Sequence, residues 1–160
     1  MKHSELMSRV IRAVNTLYAR DSNLLTGDSS EWSIAHRLAV NLEQEIPGWN
    51  VDCEYNRQGN NIKKESNDNP VRPDIIIHHR AHLEIDHNLL AIELKKSETD
   101  SDLKKVQEYT KPPESSRKFQ YQYGLALCLV NVPTLHWFTQ GKELSQPSVA
   151  CDAETPAHEP

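Results

Sequence analysis

The sequence predicts an α/β domain in which a mixed β-sheet is flanked by helices. Two N-terminal segments repeat their apolar residues at helical spacing, and the chain between residues 50 and 139 contains short apolar runs typical of strands, interrupted by one helical segment. Helical and strand periods that follow each other along one chain favour helices packed on a sheet. The predicted order is helix, helix, three strands, helix, two strands.

The length of 160 residues suits one domain. We expect the folded domain to occupy residues 1–140. Residues 141–160 are predicted to be a disordered tail and residues 56–70 a loop, because both segments are polar and contain little that could build a core.

Two helices open the chain. The first is predicted over residues 3–19 and ends before a polar loop at 21–27, and the second begins after Asp28 as N-cap and ends at Pro47. Their apolar stripes have the spacing of one helix face and comprise Leu6, Val10, Ala13, Val14 and Leu17 in the first, and Ala35, Leu38, Ala39, Leu42 and Ile46 in the second.

The remaining elements are mostly strands. Residues 50–56 alternate apolar and polar side chains, and residues 71–78 and 88–96 are rich in isoleucine and leucine, so the three runs predict a meander. Residues 102–109 predict a short helix before Pro112. The nearly continuous apolar run at 123–130 predicts a central strand buried on both faces, and 135–139 an edge strand.

Charged residues interrupt two of the predicted strands. Residues two apart in a strand share a face, so Glu93 and Lys95 project together, and Asp74 can lie beside them if the strands at 71–78 and 88–96 pair. Two carboxylates about 4 Å apart repel by roughly 4 kcal/mol at the effective dielectric of a protein surface. A hard divalent cation such as Mg²⁺, with Mn²⁺ as a substitute, would relieve that repulsion. It would also acidify a bound water and offset charge on a phosphate, so the spacing indicates phosphodiester hydrolysis.

These residues resemble a known signature. Pro73-Asp74, the nineteen residues from Asp74 to Glu93, and Glu93-Leu94-Lys95, together with Glu31 on the preceding helix, are similar to the PD-(D/E)xK nuclease superfamily. The resemblance implies the restriction-endonuclease-like fold, with core order αβββαβ and an extra N-terminal helix here. It also implies a magnesium-dependent nuclease of restriction, repair or defence, acting on DNA, with RNA as an open possibility.

The resemblance also implies roles for individual residues. Asp74, Glu93 and Glu31 would hold the metal, and Lys95 would orient or activate the attacking water and offset transition-state charge. We assign substrate binding to residues that the predicted topology places near them, namely His78, Lys96, Lys105 and Gln107. Some related nucleases carry glutamine and tyrosine four apart on the following helix, whereas Gln107 and Tyr109 are two apart here.

Each feature has a plainer interpretation. Glu93 and Lys95 can form an exposed ion pair, and Asp28 with Glu31 fits a capping box, which would leave Glu43 and Glu45 as substitute ligands. Histidines near the predicted hairpin, at 78, 79, 82 and 87, can be solvated loop residues or a zinc site. The alternative function is a catalytically inactive domain of the same fold that serves as a nucleic-acid-binding or protein-interaction subunit.

Composition limits the partners and the compartment. A net charge of −5 argues against a broad basic surface that coats nucleic acid. We expect no separate recognition domain in this length, so a protein partner, a homo-oligomer or the structure of the nucleic acid would supply specificity. The three cysteines lack CxxC spacing, and the chain shows neither a signal peptide nor an apolar run long enough to span a bilayer. We expect a cytoplasmic protein with no membrane contact.

Overall fold

The computed structural model describes residues 1–58, 61–62, 72–82, 84–96, 100–113, 119–129 and 132–145. Within those ranges the chain forms three α-helices and eight β-strands in the predicted general order. The helices are α1 (His3–Thr26), α2 (Glu31–Glu45) and α3 (Asp100–Thr110). The strands are β1 (Asn50–Cys53), β2 (Arg57–Gln58), β3 (Asn61–Ile62), β4 (Ile75–His78), β5 (Asn88–Lys95), β6 (Tyr123–Cys128), β7 (Thr134–Thr139) and β8 (Lys142–Glu143).

Six strands form one mixed sheet in the order β1-β4-β5-β6-β7-β8. Neighbouring strands are antiparallel except for β5 and β6, which are parallel and joined through α3. The predicted mixed sheet is confirmed, and the three strands β1, β4 and β5 lie side by side as the predicted meander requires. The strands β2 and β3 pair separately.

One face of the sheet is covered by α1 and α2. The apolar stripes of both helices are buried against the odd-numbered isoleucines of β4 and the even-numbered residues of β5, in one continuous core that includes Ile75, Ile77, Leu90, Ile92 and Leu94. The side chains of these residues alternate with Ile76 and Ala91, which lie in a different cluster. The period of two therefore separates the two faces of the sheet.

The other face is covered by α3. Val106 packs on Ala126 and Phe138, and Tyr109 packs with Ile76 and Ala91. Gly124 in β6 allows α3 to come this close, because a Cβ atom there would lie 2.6 Å from Cγ1 of Val106.

The helix boundaries differ from the predicted ones. Helix α1 continues to Thr26, although a loop was predicted from residue 21. The helix is kinked at Asp21, and the carboxylate of that residue accepts hydrogen bonds from Arg37. The predicted N-cap Asp28 of α2 is wrong. Ser30 caps the helix, since its hydroxyl accepts a hydrogen bond from the Ser33 amide.

Other differences concern strand ends. Strand β1 stops at Cys53, and Glu54 follows it with a positive φ of 53°. Strand β4 begins at Ile75 rather than near 71, so Asp74 lies just before it. Strand β8 lies inside the segment predicted as a tail, and strands β2 and β3 lie inside the segment predicted as a loop. The rest of that predicted loop, at 59–60 and 63–70, and residues 146–160 lie outside the described residues. Within the described ranges, no helix has the length and apolar content needed to cross a membrane.

Candidate active site

Asp74 and Glu93 come together at the end of β5. The pairing of β4 with β5 reaches Ile75 and Ile92, and the preceding residue, Asp74, accepts a hydrogen bond from the Leu94 amide, next to Glu93 in the sequence. Glu93 shares its parity with Ala91, which faces α3. Glu93 therefore lies on the α3 side of the sheet, and the charge of Asp74 is close enough to affect it.

Glu93 is a buried acid, with 4% of its surface exposed. Its Oε1 accepts a hydrogen bond of 2.8 Å from the Tyr109 hydroxyl, and its Oε2 lies 3.4 Å from the Lys105 ammonium. Burial, and after it the charge of Asp74, raises the pKa of Glu93 to about 7 against the opposing effect of Lys105 and Tyr109. Near neutral pH this carboxyl group therefore holds a proton much more readily than an ordinary glutamate does.

The Asp74 side chain, rather than a backbone carbonyl, is the hydrogen-bond acceptor for an amide of β5. Its Oδ2 accepts a hydrogen bond of 2.7 Å from the Leu94 amide. Burial raises the pKa of Asp74, although this hydrogen bond and the charge of Lys95 act in the opposite direction. The carboxyl groups of Asp74 and Glu93 thus both favour the protonated form more than usual.

Lys95 is held by Glu31 at the first turn of α2. The Lys95 ammonium donates to Oε2 of Glu31 at 2.8 Å, and the Lys96 amide donates to Oε1 at 3.1 Å. The hydrogen bond with Glu31 raises the pKa of Lys95. Burial alone would raise the pKa of Glu31, but the hydrogen bonds from Lys95 and the Lys96 amide outweigh it and lower that pKa.

Glu31 is thus linked to Asp74 and Glu93 indirectly, through its hydrogen bond with Lys95. Its carboxylate does not join those of Asp74 and Glu93 in a group of ligand atoms within 4.8 Å of one another. The substitutes considered for it are elsewhere, since Glu43 is exposed and Glu45 pairs with Arg12 at 2.8 Å.

Helix α3 contributes residues that the sequence pattern did not single out for the site. Asp102 is buried and accepts a hydrogen bond of 3.2 Å from Lys105, and the Tyr109 hydroxyl donates to Glu93. Asp102, Val106 and Tyr109 follow the i, i+4, i+7 spacing of one helix face. That spacing is the signal that could have placed Asp102 and Tyr109 against the sheet.

Three residues predicted to bind substrate make other contacts. His78 is buried, and its Nε2 lies 2.8 Å from the Asp52 carboxylate at the far end of β4, so it is not exposed to a substrate. The Gln107 side chain donates to the Gly141 carbonyl at 2.8 Å, and the Lys96 ammonium donates to the Gly27 carbonyl at 3.0 Å. Of the four predicted substrate residues, Lys105 is the one that contacts Glu93 directly.

The cluster opens on a small depression. Glu93, Lys95 and Asp102 line a space of about 10 Å³, which holds roughly one water molecule. A much larger cavity of about 620 Å³ lies between α1 and β7, and none of the clustered carboxylates lines it. Because size alone says nothing of chemistry, we place the candidate site at the charged cluster.

Comparison with known proteins adds no further assignment: no protein-family model matches the chain, and neither the curated proteins nor the solved structures contain a significant match to it.

Proposed function

We propose that the protein is a metal-dependent nuclease that hydrolyses phosphodiester bonds, with DNA as substrate and Mg²⁺ or Mn²⁺ as the ion. The observation that carries this proposal is the juxtaposition of Asp74 and Glu93 beside the Lys95 ammonium at the end of β5. The likeness to the restriction-endonuclease-like fold is part of the same proposal, supported by the mixed sheet and its helices.

The donor set fits a hard cation. Asp74 and Glu93 offer carboxylate oxygens, the ligands that Mg²⁺ prefers. Burial raises the pKa of both groups even though Lys95 acts on Asp74 and Lys105 on Glu93 in the opposite direction, so a bound cation would stabilise their ionised forms. When bound there, the ion would acidify a water molecule and offset charge on the phosphate. Glu93 must lose its proton to serve as a ligand, so metal affinity is expected to rise with pH through about 7.

Lys95 acts in this proposal as a fixed charge. Its raised pKa keeps the ammonium protonated at neutral pH, so it orients water and offsets negative charge rather than accepting a proton. Glu31 is a positioning residue, because it holds the Lys95 ammonium at 2.8 Å and is itself held by the Lys96 amide.

The test is nicking of supercoiled plasmid DNA, with structured RNA in parallel, in Mg²⁺ or Mn²⁺. Lys95→Ala is expected to lower the cleavage rate by roughly 100-fold or more, while Lys142→Ala, which removes an exposed lysine on β8, keeps full activity. Circular dichroism checks that both variants fold. Absence of cleavage by the purified wild-type protein on all substrates, or full cleavage by Lys95→Ala, would refute the proposal.

A second candidate is a non-catalytic domain of this fold that binds nucleic acid or a partner protein. The observation that favours it is the internal pairing of the cluster, in which Glu93 is bonded to Tyr109 and Lys105 and Glu31 to Lys95. Such a network can persist without an ion. In that case the wild-type protein binds DNA or a partner without cleaving, and Mg²⁺ leaves its melting temperature unchanged.

A further inference from the structure

The turn between β4 and β5 gathers several of the chain's 8 histidines. The rings of His82 and His87 stack with centroids 4.0 Å apart, and the ring of His79 lies 5.1 Å from that of His87. Ligand atoms of His82, Glu84 and His87 all lie within 4.8 Å of one another. We propose that His82, Glu84 and His87 form a binding site for a borderline-soft divalent cation, with zinc as the ion of choice.

The hydrogen bonds around His79 fix the tautomer of His87. The Gly48 carbonyl can only accept, so the Nε2 of His79, which lies 3.0 Å from it, is the donor. In the neutral ring this leaves Nδ1 of His79 as an acceptor, and it faces Nδ1 of His87 at 2.8 Å. Nδ1 of His87 must then donate, and its Nε2 carries the lone pair that a metal requires.

His87 is arranged as a metal ligand, and His79 is arranged as the residue that hydrogen-bonds to its second ring nitrogen. A metal-bound histidine usually donates its other ring N–H to an acceptor that fixes its orientation. His79 supplies that acceptor, and its own ring is fixed by stacking on Trp49 with centroids 4.0 Å apart and planes 12° apart. We infer that His79 is a positioning residue and not a ligand.

The remaining ligands come from the same short segment. Nδ1 of His82 and Oε2 of Glu84 are 3.9 Å apart, and both side chains are more than half exposed, so a small rotation brings them to a common ion. The backbone there is tied by hydrogen bonds to the Glu84 carbonyl from the His87 amide and the Asn88 side chain.

The chemistry of the donors selects the class of ion. Two imidazoles and one carboxylate suit Zn²⁺, whereas Mg²⁺ prefers oxygen ligands alone. Three protein ligands leave a coordination position open for water or a partner's side chain. Cys53 does not join the site, because it pairs with Ile75 at the opposite end of β4, and burial raises the pKa of its thiol to about 11.

The histidine site is separate from the acidic cluster. Glu93 lies six positions after His87 along β5, which corresponds to about 20 Å of extended strand. The two proposals can therefore fail independently.

The experiment measures zinc binding to the untagged full chain by isothermal titration calorimetry, with metal content after dialysis determined by mass spectrometry. We expect one Zn²⁺ per chain in the wild-type protein. The double variant His82→Ala/His87→Ala is expected to lose it, and the control His36→Ala, which removes an exposed histidine stacked on Trp32, is expected to keep it. Wild-type protein without zinc, or zinc retained by the double variant, would overturn the site.

Two further variants locate the ion and test His79. Asp74→Asn/Glu93→Gln is expected to bind zinc as the wild type does, and loss of zinc there would overturn the proposal in favour of the acidic cluster. His79→Phe keeps the aromatic contact with Trp49 but removes both hydrogen bonds. It is expected to weaken zinc roughly 10- to 100-fold and to change the visible spectrum of bound Co²⁺, whereas unchanged affinity would refute the role of His79.

Discussion

At the level of single residues, Glu93 opposes the stability of the fold that positions it. Its pKa rises from 4.5 to about 7 on folding, because the side chain is buried next to Asp74. Between those pH values the folded protein holds more protons than the unfolded chain, so its stability falls as pH rises. Above pH 7 Glu93 is ionised in both states, and the free energy of unfolding stays lower by the full cost of burying its charge.

We therefore predict that Glu93→Gln stabilises the protein at pH 8 and has little effect at pH 5. The shift from 4.5 to about 7 corresponds to about 3 kcal/mol at most. The measurement is the free energy of unfolding in urea at both pH values, with Glu43→Gln on the exposed face of α2 as the control. A variant equally destabilised at both pH values would show that Glu93 is held chiefly by its hydrogen bonds.

Two buried tyrosine hydroxyls make a matched pair. The Tyr109 hydroxyl donates to Glu93, whereas that of Tyr18 has no partner within the described part of the chain. We predict that Tyr109→Phe costs about 1–3 kcal/mol of stability and that Tyr18→Phe costs none. Tyr109→Phe should also move the pH dependence of metal binding upward, because the hydrogen bond from Tyr109 lowers the pKa of Glu93.

Chemical denaturation gives the two stabilities, and calorimetric titration with Mn²⁺ gives the pH dependence. Equal losses in both phenylalanine variants would mean that the bond between Tyr109 and Glu93 contributes nothing specific.

Among the elements, α3 has the greatest influence on the candidate site, because it delivers Tyr109, Lys105 and Asp102 to the sheet. Its close approach depends on Gly124, where a Cβ atom would lie 2.6 Å from Val106 and 3.0 Å from Thr110. We predict that Gly124→Ala costs roughly 1–3 kcal/mol, because the helix must shift to make room.

The same displacement should raise the Mn²⁺ concentration needed for half-saturation, since Tyr109 moves with the helix. Thermal unfolding and manganese titration of the variant provide the test. Wild-type values for both would show that α3 absorbs a methyl group without moving.

The order of the elements and the faces of the strands follow from sequence periodicity. Period two predicts Asp74, Glu93 and Lys95 on one face; in the structure Asp74 lies just before β4 and accepts a hydrogen bond from the Leu94 amide, while Lys95 pairs with Glu31. Boundaries are harder to predict, because Asp28 and Ser30 are equally good capping residues and only the packing of α2 decides between them. The contacts of His78 with Asp52 and of Gln107 with Gly141 depend on tertiary structure, and no local pattern encodes them.

For the whole molecule, β8 defines how much of the C-terminal segment belongs to the folded unit. Phe138 pairs with Glu143, and the Leu144 amide donates to the Trp137 carbonyl at 2.8 Å. We predict that a chain ending at Ser145 keeps the melting temperature of the full chain. A chain ending at Gln140 should melt lower, because the edge of β7 loses its partner.

Differential scanning fluorimetry of both truncated chains makes the comparison. If the chain ending at Ser145 also melts lower, residues 146–160 contribute to stability and the predicted tail is wrong.

The Leu94 amide determines which substitution at Asp74 is informative. Alanine would leave this donor without its acceptor in the middle of the sheet, at a cost of about 1–3 kcal/mol, so an inactive alanine variant would have two explanations. Asparagine retains a carbonyl oxygen for the amide and removes only the charge. Mutational scans that use alanine alone would therefore confuse a damaged scaffold with a missing ligand at this position.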